Sequence, residues 1–413
     1  LTDDGDQGED KVEKRANEMG IEPMELVETQ IKRYFEDTEA LNVKRQDIVP
    51  RATGHINEMI KYVQKIIDNG YGYERNGNIY FDVEKFAEDY TYGEMANKDI
   101  KQLKEEAEAR VEHDDGKKNQ YDFALWIKAD EDHLMKWEAS FNTEDGEIDS
   151  LGYPGWHLEC SVMSQKYLGD EFDIHTGGKD HIFPHHPNER AQSFAATGEG
   201  QARYWLHNEF INIEGEKMSK SKGNFYTVRE LIKEGFSGDA IRLYLISSHY
   251  RSETDFSMEG LKKAEKELKR IRRTVKKIGF MDDPEGKHSF GEQGSYEGLI
   301  GEFEEAMDDD LNTAKAKQVL MKAVNEANTI LENGDQPAVD YGNALIELFD
   351  VLGVDVRPRA SESESALAEI LMDLREEARD KEDWETSDMI RDRLEEIGFE
   401  IEDSDEGSNW MKG

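Results

Sequence analysis

The most regular pattern of apolar positions in the chain lies between residues 261 and 278. Apolar residues recur there at alternating steps of three and four, at Leu261, Ala264, Leu268, Ile271, Val275 and Ile278. Side chains three and four positions apart share one face of an α-helix, so the spacing predicts an amphipathic helix with a single buried seam. Weaker helical patterns begin at Pro23 and near Gly54, and Gly70 is suited to end the second of them.

Other segments carry less periodic signals. Asn76 and Gly77 predict a turn, and the residues after them predict a strand over 78–83. The stretch 126–159 is predicted to be rich in loops. Residues 281–296 are rich in glycine and predict a linker.

Composition adds a strong constraint on the surface. The chain has 413 residues, 93 of them acidic and 52 basic, which gives a formal net charge of −41. At low salt such a surface repels itself. Two interpretations compete: a protein of a halophilic cytoplasm, where molar salt screens the repulsion, or an acidic disordered chain. The 17 Phe, 16 Tyr and 6 Trp favour a folded, halophilic protein.

Cysteine usage and hydropathy indicate the compartment. Cys160 is the only cysteine, so an internal disulfide is excluded and a reducing environment is expected. No stretch of the sequence is apolar enough to span a bilayer. We therefore expect a cytoplasmic protein without a membrane partner. The length of 413 residues separately predicts about two to four domains.

A lysine-rich run is the strongest local signal for chemistry. Residues 217–224 read Lys-Met-Ser-Lys-Ser-Lys-Gly-Asn, and Gly215 and Gly223 flank a predicted mobile loop. Two lysines separated by small residues can close over a polyphosphate and stabilise the charge that moves toward leaving pyrophosphate. The alternative is an ordinary solvated loop.

A second set of residues has the composition of a metal site. Pro187 suits the first position of a helix that continues through residues 188–196, and His185 and Glu189 are four apart at its start. With the Cys160 thiolate they would offer sulfur, nitrogen and oxygen, the donors that zinc binds. The alternatives are a buried cysteine acting as a small hydrophobe and histidines at a helix cap. Spacing alone does not separate His185 from His186.

These runs resemble a known enzyme family. The lysine run is similar to the Lys-Met-Ser-Lys-Ser loop of class I aminoacyl-tRNA synthetases. Three further runs resemble the cysteine–tRNA ligases within that class, and the resemblance covers nearly the whole chain. They are Gly-Tyr-Pro-Gly-Trp-His-Leu-Glu-Cys-Ser at 152–161, Asp-Ile-His-Thr-Gly-Gly-Lys-Asp at 173–180 and Phe-Pro-His-His-Pro-Asn-Glu-Arg-Ala-Gln-Ser at 183–193.

The resemblance implies a role for individual residues. Zn²⁺ would be held by Cys160, His185 and Glu189, so that the family pattern selects His185 over His186. ATP, with Mg²⁺, would be bound by Lys217, Lys220, Gly177, Gly178 and Asp180, and Lys220 would make the most direct contact. The substrate L-cysteine would be bound by Trp156, His175 and Asp180, although a core position for Trp156 is an equal alternative.

The implied reaction has two steps. Cysteine and ATP form cysteinyl-adenylate and pyrophosphate, and the cysteinyl group then passes to tRNA(Cys). Coordination of the substrate thiol to zinc would discriminate against serine, which a hydrophobic pocket alone does weakly. The alternatives are a cysteinyl-adenylate ligase with an amino-sugar acceptor, and a non-catalytic truncated paralogue that binds tRNA.

The sequence departs from the family pattern in three places. The opening βα unit of the family, which carries a His-Ile-Gly-His motif and an early cysteine ligand, has no counterpart, and the chain opens on Leu1. We therefore expect an N-terminally incomplete chain without one zinc ligand and half of the ATP site. Thr176 stands where the family usually has Gly, and Pro187 replaces a usual Glu.

The resemblance also implies an α/β fold: a Rossmann-like class I catalytic domain without its first βα unit, an α-helical anticodon-binding bundle and a small C-terminal module. The expected division is the first part of the catalytic domain at 1–47, an insertion at 48–150, the second half of the catalytic domain at 151–215, a connecting fold with the lysine loop at 216–260, the helical bundle at 261–352 and the C-terminal module at 353–413.

The predicted helix over 261–278 is basic although the chain is acidic. It carries nine basic residues against two acidic ones. We interpret this clustering as a face that contacts tRNA phosphates, and the alternative is a local partner for acidic neighbours. The candidate tRNA-binding residues are Lys262, Lys266, Lys269, Arg270 and Arg273. A monomer is expected.

Overall fold

The computed structural model describes most of the chain. Its described residues are 11–96, 102, 116–131, 133–213, 215–218, 224–279, 296–333, 339–358, 362–381, 383–396, 399–404 and 407–412. They divide into two compact units, one formed by 1–35, 45–210 and 250–253, the other by 36–44, 211–249 and 254–413. No helix within the described ranges is long and apolar enough to cross a membrane.

The first unit combines helices with two sheets. Its helices are α1 (Lys11–Met19), α2 (Pro23–Ala40, of which residues 36–40 belong to the second unit), α3 (Ile56–Asp68), α4 (Val83–Asp89), α5 (Leu158–Leu168) and α6 (His185–Thr197). Its strands are β1 (Gly72–Arg75), β2 (Asn78–Phe81), β3 (Phe123–Lys128), β4 (Trp137–Thr143), β5 (Gly146–Pro154), β6 (Glu171–Gly178) and β7 (Gln201–Asn208). The helix predicted from Pro23 is confirmed as α2.

A five-stranded antiparallel sheet, in the order β1-β2-β3-β5-β4, supports α3. Asn76 and Gly77 join β1 to β2 with φ of 56° and 86°, the left-handed geometry of a two-residue hairpin turn. The predicted turn and strand are confirmed, although the strand ends at Phe81. Gly70, with φ of 84°, follows the end of α3 as predicted, and α3 itself begins at Ile56.

The prediction of a loop-rich stretch over 126–159 is wrong, because most of it forms β3, β4 and β5. Two glycines of this stretch are required by close contacts with the backbone of β3. A Cβ atom at Gly152 would lie 2.1 Å from the carbonyl oxygen of Ile127, and one at Gly155 would lie 2.0 Å from that of Ala124. Glycine therefore marks the approach of two backbones here.

A parallel βαβ unit follows this sheet in the chain. Strands β6 and β7 pair in parallel, and α6 connects them. This connection, together with the helical second unit described below, confirms the predicted α/β class. Helix α6 begins at His185, two residues before the predicted start, so Pro187 lies in the first turn, where a backbone N–H has no helical partner.

The second unit is mainly helical. Its helices are α7 (Val228–Lys233), α8 (Gly238–Leu245), α9 (Met258–Ile278), α10 (Glu297–Asp308), α11 (Thr313–Glu332), α12 (Val339–Val351), α13 (Glu362–Asp380) and α14 (Trp384–Glu396). Its strands are β8 (Ile211–Ile213), β9 (Glu216–Lys217), β10 (Thr254–Phe256), β11 (Phe399–Ser404) and β12 (Gly407–Lys412). Strand β8 pairs with β10 in parallel and with β9 in antiparallel orientation, and β11 and β12 form a hairpin.

The helix predicted over 261–278 is confirmed as α9, which begins three residues earlier. The Ser257 side chain accepts a hydrogen bond of 3.1 Å from the Gly260 amide and caps this start. The six residues of the predicted seam are all buried, and four of them join one apolar cluster with residues of α8, α10, α11 and α12. The predicted linker at 281–296 lies, except for Tyr296, outside the described residues.

Candidate metal centre and active site

Six of the eleven histidines of the chain lie together in the first unit, in or beside the βαβ segment. Ring contacts of 4.4–5.9 Å between centroids connect all six side chains: three of them contact one another, and each of the other three contacts one member of that group. The six are His157, His175, His181, His185, His186 and His207. Such a density of imidazole around a buried carboxylate is typical of a metal or proton-transfer site.

The three predicted zinc ligands come from two neighbouring helices. Cys160 lies on α5, and His185 and Glu189 lie one turn apart on the first two turns of α6. One ligand atom from each residue lies within 4.8 Å of the other two. The structure therefore brings the predicted ligands together, and the assignment of a metal to them stays a prediction.

Glu189 is a fully buried carboxylate whose two oxygens differ. Oε2 accepts a hydrogen bond of 3.0 Å from Gln201 Nε2 and lies 3.2 Å from His175 Nε2. Oε1 lies 3.0 Å from His185 Nε2, but it has no hydrogen-bond partner among the described residues. Burial alone would raise the pKa of Glu189, but the contacts with His175 and His185 outweigh it and hold the pKa at about 2.

The Cys160 thiol is protonated in this environment. Burial, with further contributions from the charges of Glu189 and Glu159, raises its pKa well above the ordinary value for cysteine. A metal that binds this sulfur as thiolate must therefore displace a proton.

His157 orients His185 from the opposite side. Its Nδ1 lies 2.7 Å from His185 Nδ1, so one ring donates and the other accepts. Burial lowers the pKa of His157 to about 3 and keeps that ring neutral. When His185 donates from Nδ1, its Nε2 carries a lone pair on the side of Glu189, as a metal ligand requires. His157 has φ of 148° at the start of α5, a backbone geometry that non-glycine residues rarely adopt.

A second group shares the same carboxylate. Ligand atoms of His175, His186 and Glu189 also lie within 4.8 Å of one another. His186 Nδ1 contacts His207 Nε2 at 2.7 Å, and its Nε2 is 3.9 Å from Glu189 Oε1, farther than that of His185. Geometry thus places His185 with Cys160 and His186 with His175, a distinction that spacing alone left open.

The first group fits a zinc ion. It offers one sulfur, one imidazole nitrogen and one carboxylate oxygen, a donor set that zinc accepts. Glu189 Oε1, which has no hydrogen-bond donor among the described residues, supports the fit. Burying a charged oxygen without a donor costs free energy, and a bound cation would offset that cost.

Residues predicted to bind ATP or cysteine surround this centre. A Cβ atom at Gly177 would lie 2.6 Å from His186 Cε1 and 2.7 Å from His181 Nδ1, so this position is closely packed by imidazole rings. One at Gly178 would meet only the end of the Asp180 side chain, at 2.5 Å. The Trp156 ring is 36% exposed and lies 4.7 Å from the His185 ring between centroids. Trp156 is therefore a partly open wall of the centre rather than a core residue.

The lysine loop is described only in part. Lys217 ends β9 in the second unit, but its side chain and the whole of Lys220 lie outside the described residues. The candidate tRNA-binding residues of α9 are all exposed. Lys269 lies 3.5 Å from Glu265, and Arg270 donates to Asn325. No ion pair within the described ranges involves Lys262, Lys266 or Arg273.

Four residues of the centre were missed from sequence: His157, His181, His207 and Gln201. His157 lies inside the run 152–161, where its position before a helix was the available signal. His207 is the last residue but one of β7, next to the centre. Nothing in the pattern around Gln201 indicates a polar contact with Glu189.

Comparison with known proteins gives concordant matches. Residues 6–266 match the model of the class I (C) tRNA synthetase catalytic domain, and residues 302–357 match the DALR domain. A cysteine–tRNA ligase of Heliobacterium modesticaldum is 41% identical over 98% of this chain and 85% of its own length. One from Thermococcus onnurineus is 40% identical over 98% of this chain and 84% of its own length.

Among solved structures, methionyl-tRNA synthetase of Mycobacterium tuberculosis in complex with methionyl-adenylate has a TM-score of 0.51. It is 15% identical, over 83% of this chain and 80% of the other. At this identity the similarity shows the fold alone.

Proposed function

The chain belongs to the cysteine–tRNA ligase family of class I aminoacyl-tRNA synthetases, and from this premise we propose that Cys160, His185 and Glu189 hold zinc for the recognition of cysteine. The family joins cysteine to tRNA(Cys) with ATP. The observation that carries the proposal is the convergence of the three ligand atoms within 4.8 Å around a buried carboxylate oxygen that lacks a hydrogen-bond donor.

Zinc bound there would offer a position that a thiolate occupies much more strongly than a hydroxyl group. The residues of the chain prepare that position. His157 fixes the orientation of His185 through the 2.7 Å contact between their Nδ1 atoms. Glu189 supplies the negative charge, and Trp156 covers one side and limits the access of water. Because shape alone separates cysteine from serine poorly, this donor set carries the selectivity.

For the nucleotide we propose the residues that the family pattern indicates. Gly177 and Gly178 end β6, and without side chains their backbone can come close to a nucleotide, as the family pattern indicates. Asp180 and His175 would contact the adenylate and the amino group of cysteine. Lys217 and Lys220 would stabilise the phosphates of Mg²⁺-bound ATP.

For tRNA we propose the exposed basic side of α9. Lys262, Lys266, Lys269 and Arg273 follow at steps of four and three, so they form one stripe that lies almost opposite the buried seam. A stripe of this kind suits the regularly spaced phosphates of a nucleic acid. The similarity to tRNA ligases extends over nearly the whole chain, including the bundle, which favours tRNA over an amino-sugar acceptor.

Domain boundaries and location rest on the same premise. We propose the six-part division given from sequence, with the insertion at 48–150 and the helical bundle at 261–352. We also propose that the protein works in the cytoplasm, as a monomer, in a cell of high internal salt, which suits its charge of −41.

The substitution Cys160→Ser tests the zinc proposal. We expect the variant to lose bound zinc and the preference for cysteine over serine to fall by at least about tenfold, since a hydroxyl is a far poorer ligand. Zinc content is measured by mass spectrometry of the metal, and the two amino-acid affinities by calorimetry.

Met163→Leu is the matched control, because it removes a sulfur atom from the same helix without touching the three ligands. It should retain both zinc and selectivity. A Cys160→Ser protein that keeps its zinc and its preference for cysteine would overturn the proposal.

A further inference from the structure

Gln201 is a buried polar residue in an unusual backbone conformation. It begins β7, is 2% exposed and has φ of 70°. Residues with a Cβ atom seldom adopt this left-handed geometry, and they keep it only where surrounding contacts hold them. Glycine would adopt this backbone conformation without strain. The presence of a glutamine therefore indicates that its side chain makes contacts that offset the strain.

The Gln201 amide makes two contacts through one nitrogen. Nε2 donates to Glu189 Oε2 and to Ser164 Oγ, both at 3.0 Å. The carboxylate can only accept, so it determines which end of the amide faces it. Ser164 in turn donates to the Ser161 carbonyl at 3.1 Å.

These two contacts reach both helices that carry the candidate zinc ligands. Ser164 lies on α5, one turn beyond Cys160, and Glu189 lies on α6, one turn beyond His185. Gln201 therefore joins the sulfur-bearing helix to the carboxylate itself. Gln201 Nε2 and His175 Nε2 both contact Oε2 of Glu189. These contacts hold the carboxylate so that its other oxygen, Oε1, lies on the side of His185.

We propose that Gln201 is a positioning residue of the metal centre: it fixes the rotation of the Glu189 carboxylate so that Oε1 stays directed at the metal position. The inference rests on the proposed function, since it assumes that Cys160, His185 and Glu189 bind zinc. Outer partners of this kind commonly change metal affinity by about 10- to 100-fold when removed.

Gln192 provides a matched control. It is fully buried on α6, and its Oε1 accepts a hydrogen bond of 2.6 Å from Ser161 Oγ on α5. It therefore links the same two helices through a buried amide, but it has no hydrogen bond to Glu189. A role in helix packing alone would make the two glutamines equivalent.

The test compares Gln201→Met with Gln192→Met in the full chain. Zinc affinity is measured by competition with a chromogenic chelator, and Co²⁺ binding is followed through its thiolate charge-transfer absorption. Thermal midpoints report packing. We expect Gln201→Met to weaken metal affinity by about 10- to 100-fold. Gln192→Met should lower the thermal midpoint, with metal affinity within about threefold of wild type.

A second variant removes the risk that Gln201→Met does not fold. Gln201→Gly relieves the backbone strain at φ of 70° while deleting the amide, so it should fold and still bind metal weakly. Wild-type metal affinity in either Gln201 variant, or equal weakening by Gln192→Met, would overturn the inference. A wild-type chain that binds neither zinc nor Co²⁺ would instead overturn the proposed function.

Discussion

Single residues decide whether the carboxylate at the centre can stay buried. Glu189 is fully buried with a pKa of about 2, so it is ionised at neutral pH. A buried charge is tolerated only with partners that compensate its lost hydration. His175 and Gln201 supply that compensation at Oε2. His185 Nε2 lies 3.0 Å from Oε1, which has no hydrogen-bond donor among the described residues and so leaves a position for a cation.

The helix that carries Glu189 is itself held by a buried hydrogen bond. The Tyr92 hydroxyl donates to Asn188 Oδ1 at 2.5 Å, and both residues are buried. The substitution Tyr92→Phe leaves this acceptor unsatisfied, so we expect the free energy of unfolding to fall by about 1–3 kcal/mol. Urea denaturation measures the change.

Tyr204→Phe controls for the removal of a hydroxyl, because Tyr204 is 66% exposed on β7. Its stability should stay within about 0.5 kcal/mol of wild type. Equal effects of the two substitutions would show that the bond to Asn188 does not stabilise α6.

At this scale, the sequence predicts the features that motif and helical spacing determine. The four-residue step from His185 to Glu189 holds because both lie on α6, and Cys160 arrives from a separate helix as the family pattern implied. Gln201 was missed for a physical reason. Its position depends on a left-handed φ and on a contact with Glu189 across the βαβ unit, and neither leaves a local trace in sequence.

At the scale of elements, α9 presents two opposite faces. The buried seam packs into the helical bundle, and the basic stripe faces solvent. Lys263 and Lys269 have acidic neighbours on the same helix, at 2.8 and 3.5 Å. Lys262, Lys266 and Arg273 form no ion pair with described residues, and the last two are chosen here to test the contact with phosphate.

The double substitution Lys266→Gln and Arg273→Gln tests that face. We expect weaker tRNA binding, and the slope of log affinity against log salt should become shallower by about one unit for each phosphate that the variant no longer neutralises. Cysteine affinity should not change. Filter binding over a range of KCl concentrations measures the tRNA affinity and its slope, and calorimetry measures the affinity for cysteine.

Lys85→Gln on α4, where the lysine pairs with Glu88 at 2.6 Å, removes a positive charge in the first unit and serves as control. If this variant lowers the salt slope as much as the double variant does, α9 is not the specific phosphate face.

Elements differed in how well sequence predicted them. In α9 the apolar residues recur at steps of three and four over six positions, all of them buried. This spacing matches an α-helix and not a strand, so the sequence predicted the helix well. Strands β4 and β5 were interpreted as loops although residues of β4 alternate between exposed and buried side chains. Glycines within β5 and just after it obscured the strand signal, because their purpose is the contact with β3, which is distant in sequence.

At the scale of the whole molecule, charge is the dominant property. The net charge of −41 opposes compaction unless ions screen it. The screening length falls from about 10 Å at 0.1 M salt to about 3 Å at 1 M. Surface ion pairs such as Arg203 with Glu171 are too exposed to offset the excess.

We expect the urea midpoint of unfolding to rise as KCl increases from about 0.1 M to about 2 M, because screening removes repulsion that is greater in the compact state. Sucrose of the same osmolality should stabilise less, since it does not screen charge. A midpoint that falls with KCl, or that sucrose raises equally, would contradict the halophilic interpretation.

X-ray absorption at the zinc edge identifies the atoms bound to the metal, and Cys160 is the only residue of the chain that can supply a cysteine sulfur. The zinc-loaded protein without substrate should show one sulfur at about 2.3 Å together with lighter ligands at about 2.0–2.2 Å. The sulfur should persist in Met163→Leu, whereas Cys160→Ser should retain no zinc from which a spectrum could be recorded. A spectrum without sulfur in the unaltered protein would contradict the account.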